Sequence, residues 1–159
     1  MISIKKFKDL NEEEIDNIIE EQYSYWVKIE KDMDRKNVEE KYKNLYSSSY
    51  NMPYGIALYD DANMVGFCIL KKENLKYYKQ YTPWISEVMI FKDYRRKGYG
   101  SILIREALNE LASHGFDKAY LYTDHAPVFY EKLGFEFKEI AKKSEGVYGN
   151  LYTKSTRID

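Results

Sequence analysis

The amino-acid sequence predicts a mixed α/β domain with a central sheet of about seven strands flanked by about four helices. Strand patterns and helical patterns alternate along the chain instead of being grouped at its two ends. The 159 residues suit one ordinary domain, and no repeat, linker or low-complexity stretch divides them. We therefore expect a single domain over residues 1–159. Its expected order is strand, two helices, three strands, helix, strand, helix and two strands.

The N-terminal part begins with a short strand and an amphipathic helix. Ile2, Ile4 and Phe7 alternate with polar residues, as in a strand with one buried face. Asn11 is placed to cap the helix that follows, and the acidic residues after it suit the positive end of the helix dipole. The predicted inward stripe of this helix consists of Ile15, Ile18, Ile19, Gln22, Tyr25, Trp26 and Ile29.

A second helix and a strand hairpin come next. The helix is predicted over Arg35 to Tyr46. Its predicted inward residues are Val38, Tyr42 and Leu45. The hairpin strands are predicted at Tyr54 to Tyr59 and at Met64 to Lys71. A polar, tyrosine-rich connection, Lys72 to Pro83, then leads into the next strand, and connections of this length are often functional.

The second half of the chain supplies the remaining elements. A strand containing Glu87 runs through the apolar residues before Phe91, and a basic turn follows it. The helix after that turn is expected to stop at Gly115. The last predicted elements are a strand at Lys118 to Thr123, a short helix from near Ala126 to Leu133, and a hairpin of Phe135 to Ile140 with Val147 to Thr153.

Composition and charge exclude several classes of function. A net charge of −1 gives no overall field for nucleic acid or an anionic membrane, so we expect neither as a partner. The first residues lack a signal-peptide core and no apolar run approaches about 18 residues, so we expect a cytoplasmic protein. The one cysteine, Cys68, lies in an apolar run and is expected to be a buried hydrophobic residue. His114 and His125 lack metal-binding spacing, so no metal site is expected.

The turn between the central strand and helix is the most informative stretch. It reads Arg95-Arg96-Lys97-Gly98-Tyr99-Gly100 and opens directly into a helix. Backbone amides in the first turn of a helix lack an internal partner, and the helix dipole places partial positive charge there. Glycines let an anion approach those amides closely. The stretch therefore predicts a phosphate-binding turn, with a solvated basic loop as the alternative.

Two segments together resemble one protein family. The turn matches the pattern Q/R-x-x-G-x-G/A of the GNAT N-acetyltransferase superfamily, and Phe129 to Phe135 resembles that family's second recurrent segment. The order of the two segments, their places on strand and helix, and the order of elements along the whole chain also fit. The resemblance implies a mostly antiparallel GNAT-type sheet and an acyltransferase that uses acetyl-coenzyme A.

The resemblance also matches residues to parts of the cofactor. Backbone amides of the turn would hold the pyrophosphate, and the preceding strand would pair with the pantetheine arm. Thr123 stands where many family members carry an asparagine that holds the pantetheine, a departure from the family pattern. The implied cofactor-binding residues are Val88, Met89, Ile90, Arg95, Arg96, Lys97, Gly98, Tyr99, Gly100, Ser101 and Thr123.

Two residues are predicted to be catalytic. Tyr130 matches the family's usual general acid, with packing against Phe135 as the alternative. Glu87 is the only carboxylate in the apolar part of its strand, where burial would make it a better base. Its alternatives are an outward position, a buried ion pair, or deprotonation through water. Asp124 is expected to cap the following helix or to serve the acceptor site.

The acceptor site is expected at the N-terminal helices and the tyrosine-rich connection, by ring stacking or cation–π contact, with core packing as the alternative. The residues predicted there are Tyr25, Trp26, Tyr78, Tyr81 and Asp124. The predicted reaction moves an acetyl group to a primary amine of a small molecule by direct attack in a ternary complex. Acetylation of a peptide or protein, and acyl-coenzyme A binding without turnover, are the alternatives. We expect a monomer or a homodimer.

Overall fold

A computed structural model describes residues 1–157 of the chain. Its α-helices are α1 (Glu12–Trp26), α2 (Arg35–Glu40), α3 (Tyr99–Ser113) and α4 (Pro127–Lys132). Its strands are β1 (Ile2–Lys6), β2 (Tyr54–Asp60), β3 (Asn63–Lys71), β4 (Trp84–Ile90), β5 (Lys118–Thr123), β6 (Glu136–Ser144) and β7 (Val147–Ser155). These elements follow one another in the predicted order, which confirms the mixed α/β fold. None of the helices in residues 1–157 has the length and apolar character needed to cross a membrane.

The strands form one seven-stranded sheet in the order β1-β2-β3-β4-β5-β7-β6. The pairs β1/β2, β5/β7 and β6/β7 are antiparallel. The pair β4/β5 is parallel, with Trp84 opposite Tyr120. The sheet is therefore mostly antiparallel, as the family resemblance implies.

Helix α1 begins as predicted and ends earlier. The Asn11 side chain accepts the N–H of Glu14 at 2.8 Å, and the Glu14 side chain accepts the N–H of Asn11 at 3.0 Å, which completes a capping box. The buried residues of α1 are Ile15, Ile18, Ile19 and Gln22. The predicted inward place of Ile29 is wrong, because the helix ends at Trp26 and leaves Ile29 60% exposed in the turn beyond it.

The predicted second helix is α2 followed by a π-turn, Lys41–Leu45. The N–H of Tyr46 bonds the carbonyl of Lys41 at 2.8 Å, an i to i+5 bond that fits one extra residue into the turn. The extra residue rotates the positions that follow it. The predicted inward place of Leu45 is therefore wrong, since it is 49% exposed and Tyr46, 2% exposed, is buried instead. Val38 and Tyr42 are buried as predicted.

The described chain divides into two compact units. The first contains Met1–Ile69 and Glu87–Leu103, and the second contains Leu70–Ser86 and the chain from Ile104 onward. Large buried side chains of the first core are Phe7, Ile18, Tyr42, Tyr46, Phe67 and Phe91. One buried cluster of the second unit contains Leu75, Trp84, Ala141 and Leu151, against which several tyrosines pack. Cys68 is fully buried, as predicted.

Candidate active site

Strand β4 is distorted at Glu87. The φ angle of this residue is +52°, a left-handed conformation that is rare for a residue other than glycine. A residue with this φ angle departs from the extended geometry of a strand. Strand β3 lies very close here, because a Cβ atom on Gly66 would stand 2.5 Å from the carbonyl oxygen of Met89. Backbone strain of this kind concentrates at functional positions, which marks Glu87 as a candidate.

Both carboxylate oxygens of Glu87 accept hydrogen bonds from tyrosines. The Tyr42 hydroxyl donates to Oε1 at 2.9 Å and the Tyr46 hydroxyl donates to Oε2 at 2.8 Å. The two tyrosines are 1% and 2% exposed, and their rings meet edge to face at 5.2 Å. Each oxygen of the carboxylate is thus held by a buried phenol. We call Glu87, Tyr42 and Tyr46 the carboxylate cluster.

The electrostatics of the carboxylate cluster keep its phenols protonated. Burial, and next the charge of Glu87, raise the pKa of Tyr42 well above its ordinary value. The same two causes, in the same order, raise the pKa of Tyr46. Both hydroxyls are therefore donors at neutral pH, and a donor to a carboxylate stabilises its ionised form.

Sequence reasoning found Glu87 and missed its two partners. Tyr42 and Tyr46 precede Glu87 by 45 and 41 residues, and they are two of 17 tyrosines. The inward position predicted for Tyr42 was one available signal. Tyr46 follows Tyr42 by four residues, a spacing that also belongs to one helix face, and this signal was not used.

The turn before α3, residues 95–101, has the geometry of an anion site, and we call it the anion turn. Arg96 and Gly98 have φ angles of +63° and +85°. Left-handed residues in a turn direct successive N–H groups toward one point. Helix α3 begins at Tyr99, so its first amides lack partners within the helix. A Cβ atom on Gly98 would meet no heavy atom within 4 Å, so a ligand can approach the backbone. The anion turn therefore fits a pyrophosphate group.

Side chains at the ends of the anion turn are engaged with the rest of the first unit. Arg95 Nε donates to the carbonyl of Ile90 at 2.8 Å, and its guanidinium lies 5.2 Å from the ring centre of Tyr25. The Tyr99 hydroxyl donates to Asp60 at 2.5 Å, which ties the start of α3 to the end of β2. These contacts give Arg95 and Tyr99 a part in holding the shape of the turn.

Tyr130 lies in α4 of the second unit and is 9% exposed. Its ring packs edge to face against Phe129 and Phe135, with centroids 5.0 and 5.9 Å away. Its carbonyl accepts the N–H of Phe135 at 3.1 Å across Gly134, whose φ angle is +90°. The packing alternative is thus observed, and the general-acid role stays a prediction.

The segment between β5 and α4 corrects one expectation. Asp124 does not cap α4, because the N-cap residue is Ala126 and it makes no side-chain cap bond. The Thr123 hydroxyl instead accepts the N–H groups of His125 and Ala126 at 3.3 and 3.0 Å. Asp124 Oδ1 lies 3.0 Å from Nδ1 of His125. The cofactor role of Thr123 and the acceptor role of Asp124 stay predictions.

The tyrosine-rich connection packs within the second unit. The rings of Tyr78 and Tyr81 stack with centroids 6.3 Å apart, and Tyr81 stacks on Tyr120 at 4.9 Å. The hydroxyls of Tyr78 and Tyr81 hydrogen-bond to β6 at 3.0 and 2.8 Å. In the first unit, the rings of Tyr25 and Trp26 meet edge to face at 5.1 Å. Core packing is thus observed for all four, and their substrate role stays a prediction.

Comparison with known proteins points to one family. Residues 12–135 match the model of the Acetyltransferase (GNAT) family. The uncharacterized N-acetyltransferase CgeE of Bacillus subtilis (strain 168) is 47% identical over 62 residues, 37% of this chain and 24% of that protein. A mycothiol acetyltransferase of Corynebacterium glutamicum (strain R) is 34% identical over 89 residues, 52% of this chain and 28% of that protein. The chain thus matches a minor part of the length of each relative.

A solved structure shares the fold over nearly the whole chain. An aminoglycoside 6′-N-acetyltransferase complexed with coenzyme A has a TM-score of 0.74 and 19% identity. The match covers 99% of this chain and 98% of that one. At this identity the likeness is evidence of a common fold.

Proposed function

The chain belongs to the acetyltransferase (GNAT) family, and from that premise we propose that it transfers an acetyl group from acetyl-coenzyme A to a primary amine of a small molecule. One observation carries the proposal: within the first unit, Glu87 of the carboxylate cluster lies on β4 and the anion turn begins eight residues later in the chain. An N-acetyltransferase needs a proton acceptor and a phosphate site, and these two features offer both. The names of the mycothiol and aminoglycoside acetyltransferases support a small acceptor.

The role proposed for this chain toward the cofactor is to bind it through backbone groups. The backbone amides of Arg96 to Ser101 are proposed donors to the pyrophosphate oxygens, each bond contributing about 1.5–3 kcal/mol before ordering costs. The backbone of Val88 to Ile90 is proposed to pair with the pantetheine arm. Bound acetyl-coenzyme A supplies the acetyl group as an activated thioester.

Proton transfer is assigned to two side chains. A primary amine attacks in its neutral form, so a base has to take a proton from the ammonium. Glu87 is proposed to accept that proton on a carboxylate oxygen, directly or through a water. The Tyr130 hydroxyl is proposed to act as general acid and to donate a proton to the thiolate of coenzyme A that leaves when the acetyl group is transferred. Cys68 is fully buried in β3, which supports direct attack by the amine over an acyl-cysteine intermediate.

The proposal extends to the setting of the enzyme. We propose a cytoplasmic protein, monomeric or homodimeric, without a nucleic-acid partner. The net charge of −1 supports the last point, since binding to a polyanion needs an excess of positive charge.

Thermal shift followed by thiol release tests the proposal. Acetyl-coenzyme A at about 100 times its Kd should stabilise the protein by about 2.7 kcal/mol, a rise of several degrees in melting temperature. Thiol release is then measured with kanamycin, spermidine and a peptide with a free N-terminus. Turnover with kanamycin or spermidine supports a small acceptor, whereas turnover with the peptide alone makes the protein a peptide acetyltransferase. Stabilisation without turnover indicates a binding module, and no stabilisation overturns the proposal.

A further inference from the structure

We propose that Tyr42 and Tyr46 are positioning residues that hold the Glu87 carboxylate in one orientation for proton transfer, and that the π-turn serves to supply the second of them. The inference rests on the proposed function, because it concerns the role of the same Glu87. It adds two residues for which the sequence motifs give no role.

Two donors fix a carboxylate in a way that one donor does not. The last torsion of a glutamate side chain is broad and lacks sharp rotamer wells. A bond of 2.9 Å to Oε1 and a bond of 2.8 Å to Oε2 fix that torsion, because both donors come from buried rings in the core of the first unit. The direction from which the carboxylate can accept a proton is then defined.

The backbone of Glu87 supports a functional reason for this arrangement. A left-handed φ of +52° persists at a non-glycine residue only where the surroundings fix it. Hydrogen bonds to a charged group are stronger than neutral ones, so the two phenols are suited to hold the strained residue. The strain, the charge and both donors therefore meet at one residue.

The π-turn brings the second donor to Glu87. On a continuous α-helix, Leu45 would lie nearer than Tyr46 to the centre of the face formed by Val38 and Tyr42. In the structure Leu45 is exposed and Tyr46 is buried. Burying a tyrosine hydroxyl in place of a leucine is unfavourable for packing alone, so the bond to Glu87 is the compensating gain. Single π-turns within helices occur frequently at functional sites.

The test compares Tyr42→Phe and Tyr46→Phe with the matched control Tyr59→Phe. The Tyr59 hydroxyl donates to Glu14 in the same unit, so the control removes the same kind of bond outside the proposed machinery. Each variant is assayed with acetyl-coenzyme A and with kanamycin or spermidine, whichever the wild type acetylates faster. We expect kcat to fall about 10-fold in the first two variants, with KM for acetyl-coenzyme A within about 2-fold and the control unchanged.

The acidic limb of the pH profile gives a readout that a merely structural role would not move. Each phenol stabilises the ionised carboxylate, so its removal should shift that limb upward by about one pH unit. Within residues 1–157, the titratable groups that act on the pKa of Tyr42 are Glu87, Tyr46 and the thiol of Cys68 on β3. The raised pKa of each phenol places its own ionisation far above the acidic limb.

A stability cycle on the cofactor-free protein adds a readout besides activity. Tyr46→Phe is expected to lower the melting temperature by about 2–4 °C, and by much less when Glu87→Met is also present. The inference is overturned if Tyr46→Phe lowers the melting temperature equally with and without Glu87→Met. It is also overturned if the wild type is active and all three phenylalanine variants keep its kcat and pH profile. In both cases the proposed function still stands. A wild type that binds acetyl-coenzyme A and acetylates no amine overturns the proposed function and the positioning role with it.

Discussion

The anion turn and the carboxylate cluster belong to the same unit and are built in opposite ways. In the anion turn, backbone amides are the groups proposed to contact the ligand, and the φ angles of Arg96 and Gly98 set their direction. In the carboxylate cluster, the hydrogen bonds to Glu87 join side chains, and Tyr42 and Tyr46 lie 45 and 41 residues before Glu87 in the chain. The turn should therefore tolerate changes of side-chain chemistry and be sensitive to backbone geometry, and the cluster should show the reverse.

The largest effect is expected at Gly98. Gly98→Val puts a β-branched residue at φ +85° and fills the space that the anion would use. We expect affinity for acetyl-coenzyme A to fall about 100-fold or more, measured by calorimetry. Gly115→Val is the matched control, since Gly115 has φ +89° and an equally open Cβ position at the end of α3. It should lose similar stability and keep its affinity. Equal affinity losses would contradict the anion turn.

Glu87→Gln should have the next largest effect, and on a different quantity. The amide keeps the shape of the carboxylate and loses its capacity to accept a proton. We expect kcat to fall about 30-fold while affinity for acetyl-coenzyme A changes less than about 2-fold. The matched control is Glu14→Gln, which alters another glutamate bonded to a tyrosine in the same unit. If Glu87→Gln keeps the wild-type kcat, water and not Glu87 accepts the proton of the ammonium.

The stability of the protein at alkaline pH depends on the carboxylate cluster. The pKa of Tyr42 and that of Tyr46 are higher in the folded protein than their ordinary values, so the folded state binds these protons more tightly than the unfolded chain. The associated stability is present below about pH 10 and is lost as pH rises beyond it, by about 1.4 kcal/mol per pH unit for each phenol. Urea unfolding between about pH 9 and 11.5 measures this slope.

Two variants decide whether that slope belongs to the cluster. Tyr42→Phe should make the alkaline slope shallower by the share of one phenol. Gly98→Val should leave the slope unchanged, because it alters the turn and no phenol. An unchanged slope in Tyr42→Phe would contradict the raised pKa of this tyrosine.

The smallest effect is expected for Arg96→Gly. Glycine adopts φ +63° without strain, so the backbone of the anion turn is retained while a basic side chain is lost. We expect affinity for acetyl-coenzyme A within about 3-fold of the wild type and stability within about 1 kcal/mol. A loss of affinity above about 10-fold would show that the guanidinium holds a phosphate. Side-chain chemistry would then matter in the anion turn as it does in the carboxylate cluster.

Features set by neighbouring residues were predictable from the sequence. The capping of α1 by Asn11, the turn at Gly98 and the stop at Gly115 each depend on a few adjacent residues, and the structure has Asn11 as the cap of α1 and Gly98 and Gly115 in the left-handed conformation. Their physical causes are local hydrogen bonds and allowed φ angles, which short motifs encode.

Features decided by competition or by distant contacts were not predictable. Thr123 and Asp124 both had side chains suited to the amides before α4, and the position of the chain after β5 gave those amides to Thr123. Helical spacing from Tyr42 admits both Leu45 and Tyr46 on the inward face, and the bond between residues 46 and 87 favours Tyr46. A local pattern therefore identified the acid and could not decide which side chains contact it.

The π-turn contains one residue more than an α-helix would need for the same segment. Lys41, Lys43 and Asn44 are exposed, so exchanging any one of them for another polar residue leaves the core untouched. Loss of Lys43 or Asn44 would restore ordinary helical spacing and place the tyrosine three residues after Tyr42, which is again an inward position. A single deletion at either position should therefore be tolerated nearly as well as a polar substitution, whereas a single insertion there should be harmful.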